Sequence, residues 1–217
     1  MRQSGIINPE ELHKGAISMV ATGSVGSFTA LALGKMGVGR MDGYDEDGVT
    51  WHNLPAQFFR HKDAKNNSFK TDALAEILTD FTDVDFRGYN RNYVDQKLLE
   101  TVIVAPDNMS TRELVWKQFL KQKQAKYFID ARMGAELAKL YTITNKTKKT
   151  RQFYEATLHK TSAQLPCTAR TIVYNVLMIS SLIARAYKAI INKESFPKEL
   201  IFNMTRIDNL SLMLRDE

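Results

Sequence analysis

Cysteine is nearly absent: the 217 residues contain one, Cys167. That excludes an internal disulfide and any zinc site built from cysteines alone. Proline and glycine are sparse as well, at five and eleven, which excludes a collagen-like or low-complexity chain. No apolar run approaches the roughly 20 residues that cross a bilayer. The opening MRQSGIINPEELHKG lacks the apolar stretch of a secretory signal. A reducing cytoplasm is the expected compartment, and no membrane partner is expected. What is present is ordinary globular composition, 44% apolar and 25% charged. The length suits one domain over residues 1–217.

Thirty basic residues against 24 acidic give a net charge of +6 and a pI near 9.3. This balance suits an anionic ligand, a nucleic acid or an acidic protein partner. The basic residues are scattered, however. The densest stretch, Lys146 to Arg151 (KTKKTR), lies between strand-like segments and reads as a solvated loop. With no nucleic-acid-binding module beside it, a nucleic-acid partner is not expected.

Ala16 to Thr22 (AISMVAT) is a short apolar run ending in glycine and reads as a buried strand. Val25 to Met36 reads as a helix with small and apolar residues all round, closed by Gly37 and Gly39. Arg40 to Asp45 makes a second strand, and Glu46 to Phe69 is irregular and polar. Ser68 can cap the next helix, where Ala73, Leu74, Ile77 and Leu78 recur at helical spacing. Thr101 to Ala105 and Lys126 to Ala131 are further strands, separated by a helix from about Ser110 to Lys123. Leu137 to Thr144 and Arg151 to Leu158 read as two strands around a basic turn. Thr171 to Ile191 is a long helix, and Leu200 to Thr205 with Leu210 to Leu214 a terminal hairpin. Strands alternating with helices predict an α/β fold, Rossmann-like, with a mostly parallel sheet flanked by helices and antiparallel strands at the carboxyl end.

Thr22-Gly23-Ser24-Val25-Gly26-Ser27 joins the first strand to the first helix. Glycines there let the backbone approach a phosphate, and the helix start supplies N–H donors. Asp45 follows 19 residues after Gly26, where an acid meets ribose hydroxyls. Two nucleotide chemistries compete. A nicotinamide enzyme is compatible with Asp45 and needs a substrate-handling acid, His or Tyr further along. A nucleotidyl-transferring enzyme needs cations for the phosphates and a carboxylate for magnesium. Asn53, Gln57, Arg60 and Lys70 after the second strand favour the latter, as does Asp107 at the end of a strand.

These residues together resemble the ThiF/MoeB/HesA family, the prokaryotic relatives of ubiquitin-activating enzymes, over nearly the whole chain. The resemblance is strongest from Val20 to Asn53, through the glycine turn, Gly-Val-Gly, Asp-x-Asp and Asn-Leu. It resumes at Lys70 and at Asp107 to Arg112, which match the family's Asp-x-x-x-x-Arg. It implies MgATP-dependent adenylation of the carboxyl-terminal glycine of a ubiquitin-like or sulfur-carrier protein, by a homodimer. By the same resemblance Gly23, Ser24 and Gly26 approach the nucleotide and Asp45, with Asp47 beside it, holds the ribose. Asn53, Gln57 and Lys70 contact phosphates, and Asp107 holds Mg²⁺. Independently, attack of a carboxylate on an α-phosphate joins two anions, so cationic neutralisation and positioning carry such a reaction.

Departures are visible too. The family's Gly-x-Gly-Gly-x-Gly is here Ala21-Thr22-Gly23-Ser24-Val25-Gly26, and its Asn-Leu-x-Arg-Gln is Asn53-Leu54-Pro55-Ala56-Gln57. The missing arginine at Ala56 leaves Arg60 as a candidate to replace it. The zinc-binding cysteine pairs of many relatives are absent, so no zinc is expected. Arg2-Gln3 resembles the amino-terminal pair that relatives lend to the neighbouring subunit's ATP.

Cys167 precedes the long apolar helix, with Arg170 three residues on, a setting that favours a thiolate. In ThiF-type relatives a cysteine at this place links covalently to the carrier protein. Two readings stay open, a thioester or persulfide nucleophile and an inert thiol. Arg132, at the end of the KYFIDA strand, either binds the incoming carboxylate or pyrophosphate or pairs with Asp130 or Glu136. For the chain as a whole, adenylation of a small-molecule carboxylate and a catalytically impaired nucleotide-binding partner are the alternatives. A nicotinamide oxidoreductase would leave Lys70 and Asp107 to Arg112 as coincidences. No ubiquitin-fold or rhodanese segment is recognisable, so other chains are expected to supply the acceptor.

Overall fold

The buried apolar runs form the strands of one sheet, and the alternation along each run decides which helices it meets. The computed structural model describes residues 5–158, 172–205 and, for the backbone, 213–215. After a short helix α1 (Pro9–His13), strand β1 (Ala16–Val20) leads into helix α2 (Ser24–Met36) and strand β2 (Arg40–Tyr44). A 3-10 helix (Trp51–Ala56), α3 (His61–Lys65) and α4 (Lys70–Phe81) precede β3 (Asp85–Tyr89). Then follow β4 (Thr101–Val104), α5 (Met109–Lys121), β5 (Tyr127–Gly134), β6 (Leu137–Ile143) and α6 (Lys148–Leu158). Helix α7 (Val173–Asn192), β7 (Glu199–Asn203) and β8 (Met213–Arg215) come last.

The eight strands form one sheet in the order β3-β2-β1-β4-β5-β6-β7-β8. From β3 to β5 all neighbours are parallel, and β6, β7 and β8 add as antiparallel strands. Ile17, Met19, Ile103 and Ile129 face a core shared with Leu33, Leu74, Leu78, Ile179 and Ile183 from α2, α4 and α7. Val20, Val102, Val104 and Phe128 face the opposite way, onto Val115, Trp116 and Phe119 of α5 and Tyr154 of α6. This period of two within β1 and β4 buries both faces, as parallel sheets require.

Strand order places the functional edge. The chain builds outward from β1 to β2 and β3, then returns to pair β4 on the other side of β1. The connections after β1 and β4 therefore diverge at their carboxyl ends, and ligands bind α/β sheets in such a crevice.

Three local expectations are corrected. Arg151 to Leu158 belongs to helix α6 rather than a strand. Its buried residues Thr150, Tyr154 and Leu158 are spaced by four, and that stripe packs beside α5. The start of α4 is set by Phe69, not Ser68, and no side chain caps it. The polar stretch from Glu46 to Phe69 holds the 3-10 helix and α3. The edge strand β3 carries little apolar alternation and exposes Asp85 and Arg87, so the pattern that betrays other strands is missing there.

Candidate active site

Strand β1 ends at Val20, and the turn after it is held rather than loose. Ala21 has a left-handed φ of 74°, a conformation glycine adopts more readily, and its N–H donates to the Tyr44 carbonyl at 2.9 Å. The Thr22 N–H donates to Asp45 Oδ2 at 2.8 Å, and the Thr22 hydroxyl reaches the same oxygen at 3.3 Å. Asp45, only 8% exposed, thus fastens the turn to the end of β2. A Cβ on Gly26 would stand 2.2 Å from the Ala21 carbonyl oxygen, so the helix lies directly against the turn.

Gly23 starts α2 with no side-chain cap, and the first turn has no acid. The first N–H groups of a helix lack intrahelical acceptors, and its dipole favours an anion there. Two side chains converge on that point. A Cβ built on Gly23 would lie 3.6 Å from Gln57 Nε2 and 3.9 Å from Lys70 Nζ. Lys70 opens α4, against the usual preference for acids at a helix start. Its N–H donates to the Asp47 carbonyl at 2.9 Å, and its ammonium, 8% exposed, contacts Asp47 Oδ2 at 2.6 Å and Asp45 Oδ1 at 3.9 Å. Asp45 Oδ1 also accepts from the Asp47 N–H at 3.0 Å.

Gln57 has a buried Oε1 with no hydrogen-bond partner, an arrangement that costs about 1–3 kcal/mol until something donates to it. Free helix N–H groups, an ammonium and an amide N–H match phosphate oxygens, and the orphaned carbonyl and Asp45 match hydroxyl donors. A nucleotide fits this donor and acceptor set. Ser27 and Thr22, which support the arrangement, escape sequence reasoning. Their only signal is being small and polar beside the glycines.

Across the crevice, Asp107 stands three residues beyond Val104, as Gly23 stands three beyond its register partner Val20. The Ala105 N–H continues the pairing to the Val20 carbonyl at 3.0 Å. Asp107 is exposed and, among the described residues, accepts from Asn108 Nδ2 at 3.1 Å. The cap of α5 is Asn108, whose Oδ1 accepts from the Thr111 N–H at 2.8 Å. No group of three or more potential metal ligands occurs among the described residues. Magnesium commonly takes one or two carboxylates and completes its shell with phosphate and water oxygens, so Asp107 fits as a single carboxylate ligand.

Arg112 is buried and donates to the Asp130 carboxylate and to the Pro106 carbonyl, so it fixes the backbone next to Asp107. Arg132 is occupied as well. Its three nitrogens donate to Asp130 Oδ2 at 2.7 Å, the Thr157 carbonyl at 3.0 Å and the Thr157 hydroxyl at 2.9 Å. Tyr154 donates its hydroxyl to Asp130 at 2.9 Å. Burial first, and Asp130 second, push that phenol well above its ordinary pKa. Of the two readings of Arg132, the pairing with Asp130 is the one present. Arg60 is drawn elsewhere too, contacting Asp63 Oδ1 at 2.9 Å and Glu76 Oε2 at 2.8 Å. Asn53 sits half-buried in the 3-10 helix. Cys167, Arg2 and Gln3 lie outside the described residues.

The model of the ThiF family matches residues 5–216. The chain belongs to the ThiF family. Among curated proteins it is similar to "Ubiquitin-like modifier-activating enzyme 5" of Oryza sativa subsp. japonica, 33% identical over 105 residues, which are 48% of this chain and 24% of that protein. The Bombyx mori protein of the same name is 33% identical over 108 residues, 47% of this chain and 27% of that one. The matched stretch therefore spans about a quarter of either relative's length.

Among solved structures, the fold resembles that of E. coli MccB with ATP, with a TM-score of 0.76 at 15% identity, covering 96% of this chain and 65% of that one. PaaA is similar at a TM-score of 0.73 and 16% identity, covering 96% and 74%. No helix among the described residues is long and apolar enough to cross a membrane.

Proposed function

We propose that this ThiF-family member is an ATP-dependent adenylyltransferase acting on the carboxyl-terminal glycine of a ubiquitin-like protein, a sulfur carrier or a peptide. The observation that carries the reading is the convergence of Lys70 and Gln57 on Gly23 at the uncapped start of α2. The family match and the fold shared with an ATP-bound MccB support it.

In this reading the α2 N–H groups and Gln57 Nε2 orient the triphosphate, and Asp45 with the Gln57 carbonyl receives hydroxyl donors. Lys70 exchanges its contact with Asp47 for phosphate oxygens. A carboxylate oxygen of the acceptor attacks the α-phosphorus. The bond to the β-phosphate oxygen breaks, and pyrophosphate departs with the electron pair. No proton moves, so the protein's work is positioning and charge neutralisation. Magnesium on Asp107 would supply further neutralisation of the phosphate charge. The Cys167 thiolate would then attack the acyl carbon of the adenylate, forming a thioester as AMP departs, or would accept sulfane sulfur from another protein's persulfide, which leaves as a thiolate. A second copy of the chain would lend Arg2-Gln3 to complete each site, in a cytoplasmic homodimer.

Ala56 in place of the family arginine, with Arg60 held by Asp63 and Glu76, favours a second reading: a nucleotide-binding partner with impaired catalysis. ATP–pyrophosphate exchange separates the two. With peptides ending in Gly-Gly, the enzyme reading expects carboxylate-dependent exchange that falls about a hundredfold or more in Lys70→Ala. ATP binding without exchange for any protein or peptide acceptor defeats adenylation and leaves the impaired reading. Exchange with free small carboxylates alone would redirect the acceptor class.

A further inference from the structure

At the opposite edge of the sheet, where β4 and β5 begin and β6 ends, lies a second, shallow and largely open concavity of about 490 Å³. Four cations line it, Lys123, Lys126, Lys146 and Arg151, with Thr144 and Asn145 between them, and no acid does. Its size lies within the ~300–1,000 Å³ of small-molecule sites, yet its lining is too polar for an apolar ligand. The eight residues of β5 separate it from the nucleotide edge by roughly 20 Å.

One of these cations, Lys146, is held in place more firmly than a solvated loop would hold it, while Lys123, Lys126 and Arg151 are exposed. Lys146 Nζ donates to the carbonyls of Phe119 and Gln122 at 2.5 and 2.8 Å and lies 4.1 Å from the Phe119 ring centroid. It thereby caps the end of α5. Partial burial, and then the charge of Arg151, lower its pKa, so a half-buried cation faces another cation. Lys123 and Arg151 have no ion pair among the described residues, while Lys126 contacts exposed Glu100 at 2.7 Å.

Helix α6 adds to the field. Its first turn carries no acid, and Lys148, Lys149 and Arg151 crowd its positive dipole end. Asn145 Oδ1 already accepts from the Thr147 and Thr150 hydroxyls at 3.0 and 2.7 Å, which leaves its amide N–H groups to donate outward. Among the described residues, Glu100 on Lys126 is the acid paired with the four lining cations.

We propose that this pocket binds a small multivalent oxyanion of the phosphate type, at a site separate from the nucleotide crevice. The cations converge on one concavity instead of tracking along a face, which fits a compact polyanion better than a nucleic-acid backbone.

Tripolyphosphate is the probe, added at physiological ionic strength while backbone amide resonances are followed by NMR. Saturable shifts are expected at Lys123, Lys146 and Arg151, distinct from those at Gly23 and Gly26 on the nucleotide edge. Lys123→Gln with Arg151→Gln, both exposed positions, should weaken the first set about tenfold or more and leave the second unchanged. Each single substitution should weaken it by a smaller factor, which covers the case in which the double variant unfolds. The proposal is overturned if millimolar tripolyphosphate produces no saturable shift at these amides. It is also overturned if neither the single nor the double variants change the affinity. Shifts caused by a short single-stranded RNA and not by tripolyphosphate would overturn it in favour of a nucleic-acid surface.

Discussion

The backbone N–H of Phe58 donates to Ser27 Oγ at 3.0 Å, and that hydroxyl in turn donates to the Ser24 carbonyl at 3.2 Å. One side chain in the first turn of α2 therefore fixes where the segment after the 3-10 helix crosses it. Phe58 packs beside this contact on Phe28, with ring centroids 5.3 Å apart. Gln57, the preceding residue, is thereby held over Gly23.

Ser27→Ala should accordingly do two things at once. Removing the acceptor of this partly buried N–H should cost about 1 kcal/mol, visible as a lower urea midpoint. Gln57 should also lose its position, so the KM for ATP in pyrophosphate exchange should rise several-fold. A normal KM in a destabilised protein would show that the Ser27 contact is structural alone.

Asp107 and Arg112 should separate by phenotype. Asp107 is exposed, and its side-chain hydrogen bond among the described residues is to Asn108, so Asp107→Asn should leave the melting temperature unchanged. Exchange should fall about a hundredfold or more, the several kcal/mol that metal positioning supplies. Arg112→Met leaves the buried Asp130 with one fewer cation and should destabilise by about 3 kcal/mol. Exchange by Asp107→Asn within tenfold of wild type removes this carboxylate from the chemistry.

The turn itself gives opposite expectations for two neighbours. Ala21 pays the left-handed penalty of about 1–2 kcal/mol, so Ala21→Gly should be stabilising or neutral after the ~0.5–1 kcal/mol entropic cost of glycine. Gly26→Ala drives a methyl into the Ala21 carbonyl and should cost about 3 kcal/mol. Chemical unfolding of both variants reads the difference, and a clear loss of stability in Ala21→Gly contradicts the strain assigned here.

Cys167 is tested by separating two activities. Adenylation needs only MgATP and a carboxylate, so Cys167→Ser should retain pyrophosphate exchange. Covalent capture needs a thiolate, so the same variant should form no dithiothreitol-sensitive adduct with the acceptor on non-reducing electrophoresis. A thiol-sensitive adduct persisting in Cys167→Ser rules out the thioester, since the chain has no other cysteine.

Much of the candidate site's framework was legible in the sequence because backbone approach and charge leave local marks. Gly26 must be glycine against Ala21, Asp45 follows β2, and a lysine at the start of α4 defies the helix dipole. What the sequence concealed was pairing across distance. Arg60 looks free in a linear reading, yet Asp63 and the more distant Glu76 claim it, whereas for Arg132 the structure selects the Asp130 pairing that the sequence already offered. The α6 segment misleads because Phe153, Tyr154 and Thr157 suit a strand, while its buried stripe through Thr150, Tyr154 and Leu158 only gains meaning beside α5. Ser27 gives no warning because its partner is a backbone N–H 31 positions on.

Asp130 receives Arg112 from α5, Tyr154 from α6 and Arg132 from its own strand, while Arg112 also grips the carbonyl before Asp107. This buried carboxylate works as a common hinge pin. The loop that presents Asp107 and the helix that carries the basic pocket's Arg151 are thus tied to the two oxygens of one carboxylate, Arg112 on Oδ1 and Tyr154 on Oδ2.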